Sequence, residues 1–265
     1  MDVPDLVTRH YGIGGLAETV LSALQAHGIN TENLTAQDLA PVDELHAGGP
    51  AATQEVLRRL QLSHGQRLLD VGSGIGGPAR LAAATLPVQV TGIDLTPEFV
   101  EAARDLTRHA RLDDRVTFQL GSGARMPFDD GSFDAAMMIH VGMNVDDKAS
   151  LFADVHRVLR PGARFVVFEQ MRAAEGALDY PLPWADDERS SFVETPDQYA
   201  GHLSAAGFTV EVTEDLTASS GPPPGGPDGL SPAVVFGDDF VRRIRANIKA
   251  TDDGLLAAVL VVARA

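Results

Sequence analysis

The sequence predicts an α/β fold built on an open, doubly wound sheet, and three observations carry that prediction. An apolar strand at 67–71 runs through an acid into a turn made largely of glycine and then into a helix. Further apolar strands recur at 88–94, 116–120, 135–139 and 164–169, separated by turn residues and helical periodicity. With 265 residues and 44% hydrophobic content, the chain can bury one substantial core, the natural size of a single α/β domain with an appended helical cap.

Taken in order, residues 1–60 are mostly helical by period. Leu16, Val20, Leu21 and Leu24 share one face, a loop is expected over 31–49, and a helix over 51–60. This stretch reads as a lid. After the first strand, Gly72, Gly74, Gly76 and Gly77 allow a sharp turn and a close approach to a ligand, and the helix starting near Pro78 presents free N–H groups there. The run from Gly72 to Gly77 reads both as GxGxG and as GxGxxG, so alone it does not separate a methyl donor from a dinucleotide. The second strand ends in Asp94, where ribose hydroxyls are gripped in such sheets, and Thr96 and Pro97 open the next helix as N-cap and first position. The third strand leads through Gly121-Ser-Gly-Ala-Arg-Met-Pro-Phe128 and Asp129-Asp-Gly-Ser-Phe-Asp134 into the fourth. A helix at 147–159, the turn Arg160-Pro-Gly162 and the fifth strand follow. Segment 172–194, centred on Tyr180-Pro-Leu-Pro-Trp184, breaks helical period and is expected to be an inserted cap loop. The Pro- and Gly-rich segment 219–228 is a surface loop, and 255–262 forms a last strand.

The glycine turn, Asp94, the segment from Met126 to Asp134 and the segment from Val158 to Glu169 occur in that order, and together they resemble the class I S-adenosylmethionine-dependent methyltransferases. The resemblance spans 65–215. It implies a Rossmann-like seven-stranded sheet, six parallel strands plus an antiparallel last strand. It also implies an N-terminal helical lid over 1–60 and a cofactor-binding domain over 61–265. Through His140-Val-Gly-Met-Asn-Val-Asp-Asp-Lys148 and Asp43-Glu-Leu-His-Ala-Gly-Gly49, the chain is most similar to small-molecule N-methyltransferases of the sarcosine/dimethylglycine type. S-adenosyl-L-methionine is the implied cofactor and a small molecule the implied acceptor, methylated at an amine for preference. The alternatives are O- or C-methylation of a secondary metabolite, or binding of the cofactor without methyl transfer. A nicotinamide-dependent oxidoreductase, permitted by the literal GxGxxG, leaves 126–134 and the N-terminal lid unexplained.

Site residues follow by position. The resemblance assigns Gly72, Ser73, Gly74 and Gly76 to the cofactor's amino acid portion and ribose, Asp70 to the turn and the ammonium group, and Asp94 to the ribose hydroxyls. Leu95 and Met126 either face adenine or pack in the core. Ser122 stands where the family usually has an acid, and its hydroxyl or the Gly123 N–H can serve the polar edge of adenine. His140, at the end of the fourth strand beside the switch point, either orients the acceptor or takes its proton, or lines the cofactor through its backbone. Asn144 shares its loop and either lines the acceptor pocket or caps the next helix. Arg172 either clamps a substrate carboxylate in a bidentate fork or pairs on the surface. Tyr11 and His46 belong to the lid, and an aromatic face such as that of Tyr11 attracts a sulfonium unless it merely packs.

Methyl transfer is an in-line displacement. It asks the protein to hold a lone pair about 3 to 3.5 Å from the methyl carbon with water excluded, and an attacking amine must be unprotonated. The formal net charge of −16 argues against nucleic acid as partner and suits neutral or cationic substrates. There are no cysteines, so neither a disulfide framework nor a thiol nucleophile is available. His109, His156 and His202 lack metal-ligand spacing, and no metal is expected. No signal peptide and no bilayer-spanning run is visible, so a cytoplasmic monomer or homodimer is the expectation.

Overall fold

The structure is a computed structural model and describes residues 15–221, 229–237 and 239–265. Seven strands form one sheet: β1 (Arg67–Val71), β2 (Gln89–Asp94), β3 (Val116–Leu120), β4 (Phe133–Ile139), β5 (Leu159–Arg172), β6 (Thr209–Asp215) and β7 (Leu256–Arg264). Their order is β3-β2-β1-β4-β5-β7-β6, and β7 runs antiparallel to both neighbours, so six strands share one direction. This is the seven-stranded arrangement that the sequence implies. The chain first walks outward from β1 to β3 and then returns to β4 on the other side of β1, which creates a switch point at the β1/β4 carboxyl ends.

Alternate residues of each strand feed two cores, as a sheet covered on both faces requires. Leu68, Val90, Met137 and Phe168 face one side, which is covered by α1 (Leu16–Ala26), α2 (Ala36–Asp43), α3 (Gly49–Leu60), α4 (Gly77–Thr85) and α5 (Pro97–His109). Leu69, Met138, Phe165 and Val167 face α6 (Lys148–Val158) and α7 (Pro196–Ala205) on the other. Val20 and Leu24 of α1 and Val56 of α3 are fully buried in the first core, so residues 15–60 are integrated into the domain and pack on the sheet's own helices. A smaller cluster joins Leu178, Leu182 and Trp184 of the inserted segment to α9 (Phe240–Asp252), which follows the one-turn α8 (Ala233–Phe236).

Two local expectations need correction. Within 31–49, read as a loop, Ala36–Asp43 is helical, because Thr35 and Asp38 form a reciprocal capping box that satisfies free N–H groups at its start. The Arg160-Pro-Gly162 turn is absorbed into β5 as an irregularity in its pairing with β4, with Gly162 at φ 81° donating to the Ala265 carbonyl. Among the described residues no helix is long and apolar enough to cross a membrane.

Candidate functional site

A cavity of about 290 Å³ opens where β1, β2 and β4 end. Its first wall is backbone. Gly72 N and Ser73 N donate to the Ile93 carbonyl at 2.8 and 3.0 Å, which pins the turn to β2. Gly74 N donates to Asp94 Oδ2 at 2.8 Å, and Asp94 Oδ1 accepts from Thr96 N at 2.9 Å. One carboxylate therefore closes the glycine turn and ties it to Thr96, the residue before α5. Burial raises the Asp94 pKa, and these backbone N–H groups pull it back.

The glycines have different reasons to be glycine. A Cβ on Gly72 would stand 2.3 Å from Val141 Cγ2, and one on Gly76 2.5 Å from Phe118 Cζ, so the protein itself packs against both. A Cβ on Gly74 would meet nothing within 4 Å. Gly74 faces open cavity and is where a ligand can come close. Gly76 does not line the cavity; it is the N-cap of α4.

Leu95, Ser122 and Gly123 line the far end together with Phe99. Ser122 Oγ accepts from Ala124 N at 3.2 Å, and Leu151 closes on Gly123, whose Cβ would lie 2.7 Å from Leu151 Cδ1. Met126 is not brought to the cavity. Its side chain is buried in the second core, its N–H donates to Asp154 Oδ2 at 2.6 Å, and its carbonyl accepts from Arg157.

The opposite wall is made of side chains. His140 lines the cavity at the end of β4 with φ 54°, its backbone N–H donating to the Phe168 carbonyl at 2.8 Å. Its Nε2 is out of solvent and has no hydrogen-bond partner, and the same holds for Asn144 Oδ1 on the following turn. Burial and then the nearby His46 hold the His140 pKa well below the ordinary value. His46 lines the cavity from the loop after α2, its ring centroid 5.7 Å from that of His140.

Two further residues stand elsewhere. Asp70 lies buried behind the wall, outside the lining. Burial, Glu44 and Asp94 push its pKa up to about 8 although His46 opposes them. Arg172 is not at the cavity either: its guanidinium donates to the Gly176 carbonyl at 2.8 Å and its backbone N–H to Glu194. Tyr11 lies outside the described residues.

Several site residues escaped the sequence reading. Glu44 and Thr53 bond His46 from neighbouring elements. Glu169 Oε1 accepts from Val141 N and Gly142 N, both at 2.8 Å, and so anchors the loop that carries His140 and Asn144. The segment Asp43-Glu-Leu-His was a signal for the first of these; nothing local marked Glu169, which contacts the loop only through the β4/β5 pairing.

The wall offers orphaned buried polar atoms at Asp43 Oδ1, Ser73 Oγ, His140 Nε2 and Asn144 Oδ1, beside open space over Gly74. A cationic, hydrogen-bonding nucleoside fits such a set. Among the described residues no cluster of three His, Asp or Glu is arranged to hold a metal ion.

Comparison with known proteins places these features in context. Residues 69–167 match the family model described as a methyltransferase domain. The chain is similar to methyltransferase GfsG of Streptomyces halstedii, 34% identical over 54% of this chain and 50% of that protein. It is also similar to 27-O-demethylrifamycin SV methyltransferase of Amycolatopsis mediterranei, 33% identical over 64% of each chain. The chain thus spans half to somewhat under two thirds of the length of these relatives. Among solved structures, the [4+2]-cyclase SpnF shares the fold with a TM-score of 0.69 at 24% identity, over 94% of both chains.

Proposed function

We propose that the chain, whose residues 69–167 match a methyltransferase domain, is a class I S-adenosylmethionine-dependent methyltransferase that transfers a methyl group to nitrogen or oxygen of a small, neutral or cationic molecule bound beside His140 and Asn144. Bound S-adenosylmethionine supplies a methyl group activated by its sulfonium charge. In this reading Gly74 and Asp94 hold the cofactor, with Leu95, Phe99 and Ser122 around its base and Leu45 and His46 walling the cavity from the N-terminal region.

The observation that carries the proposal is the pair of buried, unpartnered polar atoms, His140 Nε2 and Asn144 Oδ1, in the same cavity as the Gly74–Asp94 turn. Unsatisfied buried polar atoms are costly, and a bound acceptor that presents O–H or N–H satisfies both. Asp43, Asp94, Asp146 and Asp147 line the cavity, which disfavours a carboxylate- or phosphate-bearing acceptor and supports the neutral or cationic class. An amine follows from the resemblance, whereas the rifamycin-directed relative acts by its name at oxygen.

Calorimetric titration with S-adenosylmethionine, S-adenosylhomocysteine and oxidised nicotinamide dinucleotide tests the cofactor assignment. Incubation with a pool of amines and alcohols, read by mass spectrometry, then identifies the acceptor atom. Binding of the two adenosyl ligands with a methylated product supports the proposal. Binding of the dinucleotide alone, or adenosyl binding with no methylated product from a broad pool, counts against it.

A further inference from the structure

Both ring nitrogens of His46 face acceptors. Nδ1 lies 2.9 Å from the Ala47 carbonyl oxygen, which can only accept, so Nδ1 carries a proton. Nε2 lies 2.7 Å from Glu44 Oε2 and 3.0 Å from Thr53 Oγ1. The Thr53 hydroxyl donates its own proton to Glu44 Oε2 at 2.6 Å and is left to accept from the ring. With a carboxylate and a committed hydroxyl in front of it, Nε2 carries a proton as well. His46 is therefore an imidazolium, buried with its counterion: His46, Glu44 and Thr53 are 5%, 1% and 0% exposed.

This fixed cation stands one ring away from His140, their planes tilted by 52°. His140 packs on Phe168 from its other side, centroids 5.3 Å apart, and keeps an unpartnered Nε2 at the cavity. Its left-handed backbone is uncommon for a residue other than glycine and is the kind of local strain that sites retain. Around His46 the titratable groups are Glu44 from its own loop, Asp70 from β1 and His140 from beyond β4, with the Thr53 hydroxyl from α3.

We propose that His46 is a positioning residue: clamped as an imidazolium between Glu44 and the Ala47 carbonyl, it reserves the free Nε2 of His140 for the proton shed by the methyl acceptor. This deepens the proposed function and rests on it, because it narrows the acceptor to one that loses a proton at the methylated atom, a hydroxyl or an N–H. In the step, the acceptor's lone pair forms the new bond to the methyl carbon and the breaking S–C bond leaves its electron pair on sulfur. The acceptor's proton passes to His140 Nε2. A second positive ring cannot readily form beside His46 before transfer, so His140 waits neutral. Burial acts in the same direction and is the larger influence on its lowered pKa, His46 the second. His46 stays charged because, although burial opposes it, the Glu44 hydrogen bond and charge, the Ala47 carbonyl and Asp70 together raise its pKa.

The test is long-range proton–nitrogen NMR of the imidazole rings in the full chain, from about pH 5 to pH 9 across the histidine range. It compares the wild type with His46→Gln and Glu44→Gln. In the wild type at neutral pH, His46 is expected to show two protonated ring nitrogens and His140 one. In His46→Gln the His140 midpoint should rise by about one pH unit, the size of effect a neighbouring like charge exerts. In Glu44→Gln the His46 midpoint should fall and that of His140 rise, which keeps the test alive if His46→Gln does not fold. A neutral His46 at pH 7 in the wild type, or a His140 midpoint unmoved in the folded variants, overturns the proposal. These readouts need neither cofactor nor turnover. A wild type that fails to bind S-adenosylmethionine therefore defeats the proposed function separately and leaves the histidine measurement standing.

Discussion

Around Asp94 each carboxylate oxygen has a backbone N–H partner, whereas around His140 buried side-chain atoms stand without one. The first wall of the cavity is a turn whose shape is complete in the protein alone, and its residues serve a ligand by leaving room. The second wall is assembled from the 43–53 region, the end of β1 and the loop after β4, and on that loop His140 Nε2 and Asn144 Oδ1 have no partner. On the proposed function, the difference separates recognition of a common cofactor, which backbone geometry suffices to do, from recognition of an acceptor, which needs particular side chains in particular charge states.

Substituting the glycines of the first wall sharpens the contrast most. Gly72→Ala imposes a left-handed alanine at φ 71° and drives its Cβ into Val141, so backbone strain and overpacking together should cost about 3 kcal/mol of stability by urea denaturation. Gly74→Ala, at φ 52° with open space above it, should cost only about 1 kcal/mol of stability yet weaken S-adenosylmethionine binding measured by calorimetry. Equal losses of stability in the two would mean that the turn has no ligand-facing position.

On the second wall, Glu169→Ala removes the acceptor for two N–H groups of the His140 loop and should destabilise the chain by roughly 2 to 3 kcal/mol, seen as a lower midpoint in the same titration. Glu169→Gln keeps an accepting oxygen and should retain most of that stability. If the alanine variant is as stable as the glutamine one, the loop is held by something other than these bonds. Gly142 adds a reason for the tight fit, since a Cβ there would lie 2.1 Å from the Tyr199 hydroxyl.

What the sequence discloses follows the same division. Most of the strands, the glycine turn and Asp94 are legible because each arises from contiguous residues: apolar runs, a turn only glycine can make, an acid where the strand ends. Met126 and Arg172 were not decidable, because whether a side chain reaches the cavity depends on pairing across the sheet. Arg172 is the last residue of β5, registered against Leu256, and its backbone is drawn toward Glu194 in the cap segment. Glu44 and Thr53 act through a ring seven residues or fewer away, but their convergence depends on how α2 and α3 dock, which local period does not encode. The helix α2 itself was readable from Thr35 and Asp38 at capping-box spacing, although Pro41 lies within it.

The charged burial of the second wall should appear in the pH dependence of the ligand-free protein. Burial is the leading cause that lifts Asp70 to about 8, Glu169 to about 7 and Asp43 to about 6, the last although Arg80 pairs with it. A carboxyl raised in the folded state holds a proton that the unfolded chain has already released, so its contribution is whole below the ordinary carboxylate range and is lost as pH rises through the folded value. His46, raised as well, adds in the same direction above the ordinary histidine range. His140, lowered, works the other way, contributing above that range and losing it as pH falls. Asp43 completes its part of the fall by about pH 6, Glu169 by about 7 and Asp70 by about 8, so the melting temperature falls between about pH 4 and pH 8, with His140 opposing it below the ordinary histidine range and His46 adding to it above. Asp70→Asn should flatten the upper part of that fall. A profile flat across this window would show that the second wall carries no protonation strain.

Arg172→Ala should do least. The sequence offered Arg172 as a carboxylate clamp, but its guanidinium is committed to the Gly176 carbonyl and stands outside the cavity lining, so the change should alter stability by no more than about 0.5 kcal/mol. Affinity for S-adenosylmethionine should be unchanged, and turnover of carboxylate-bearing and neutral acceptors should shift by the same small factor in a competition assay. A selective loss with the carboxylate-bearing acceptor would mean that the cap segment swings Arg172 inward when an acceptor binds. The second wall would then include a guanidinium as well as the His46 ring, and an acceptor carboxylate would have a partner there.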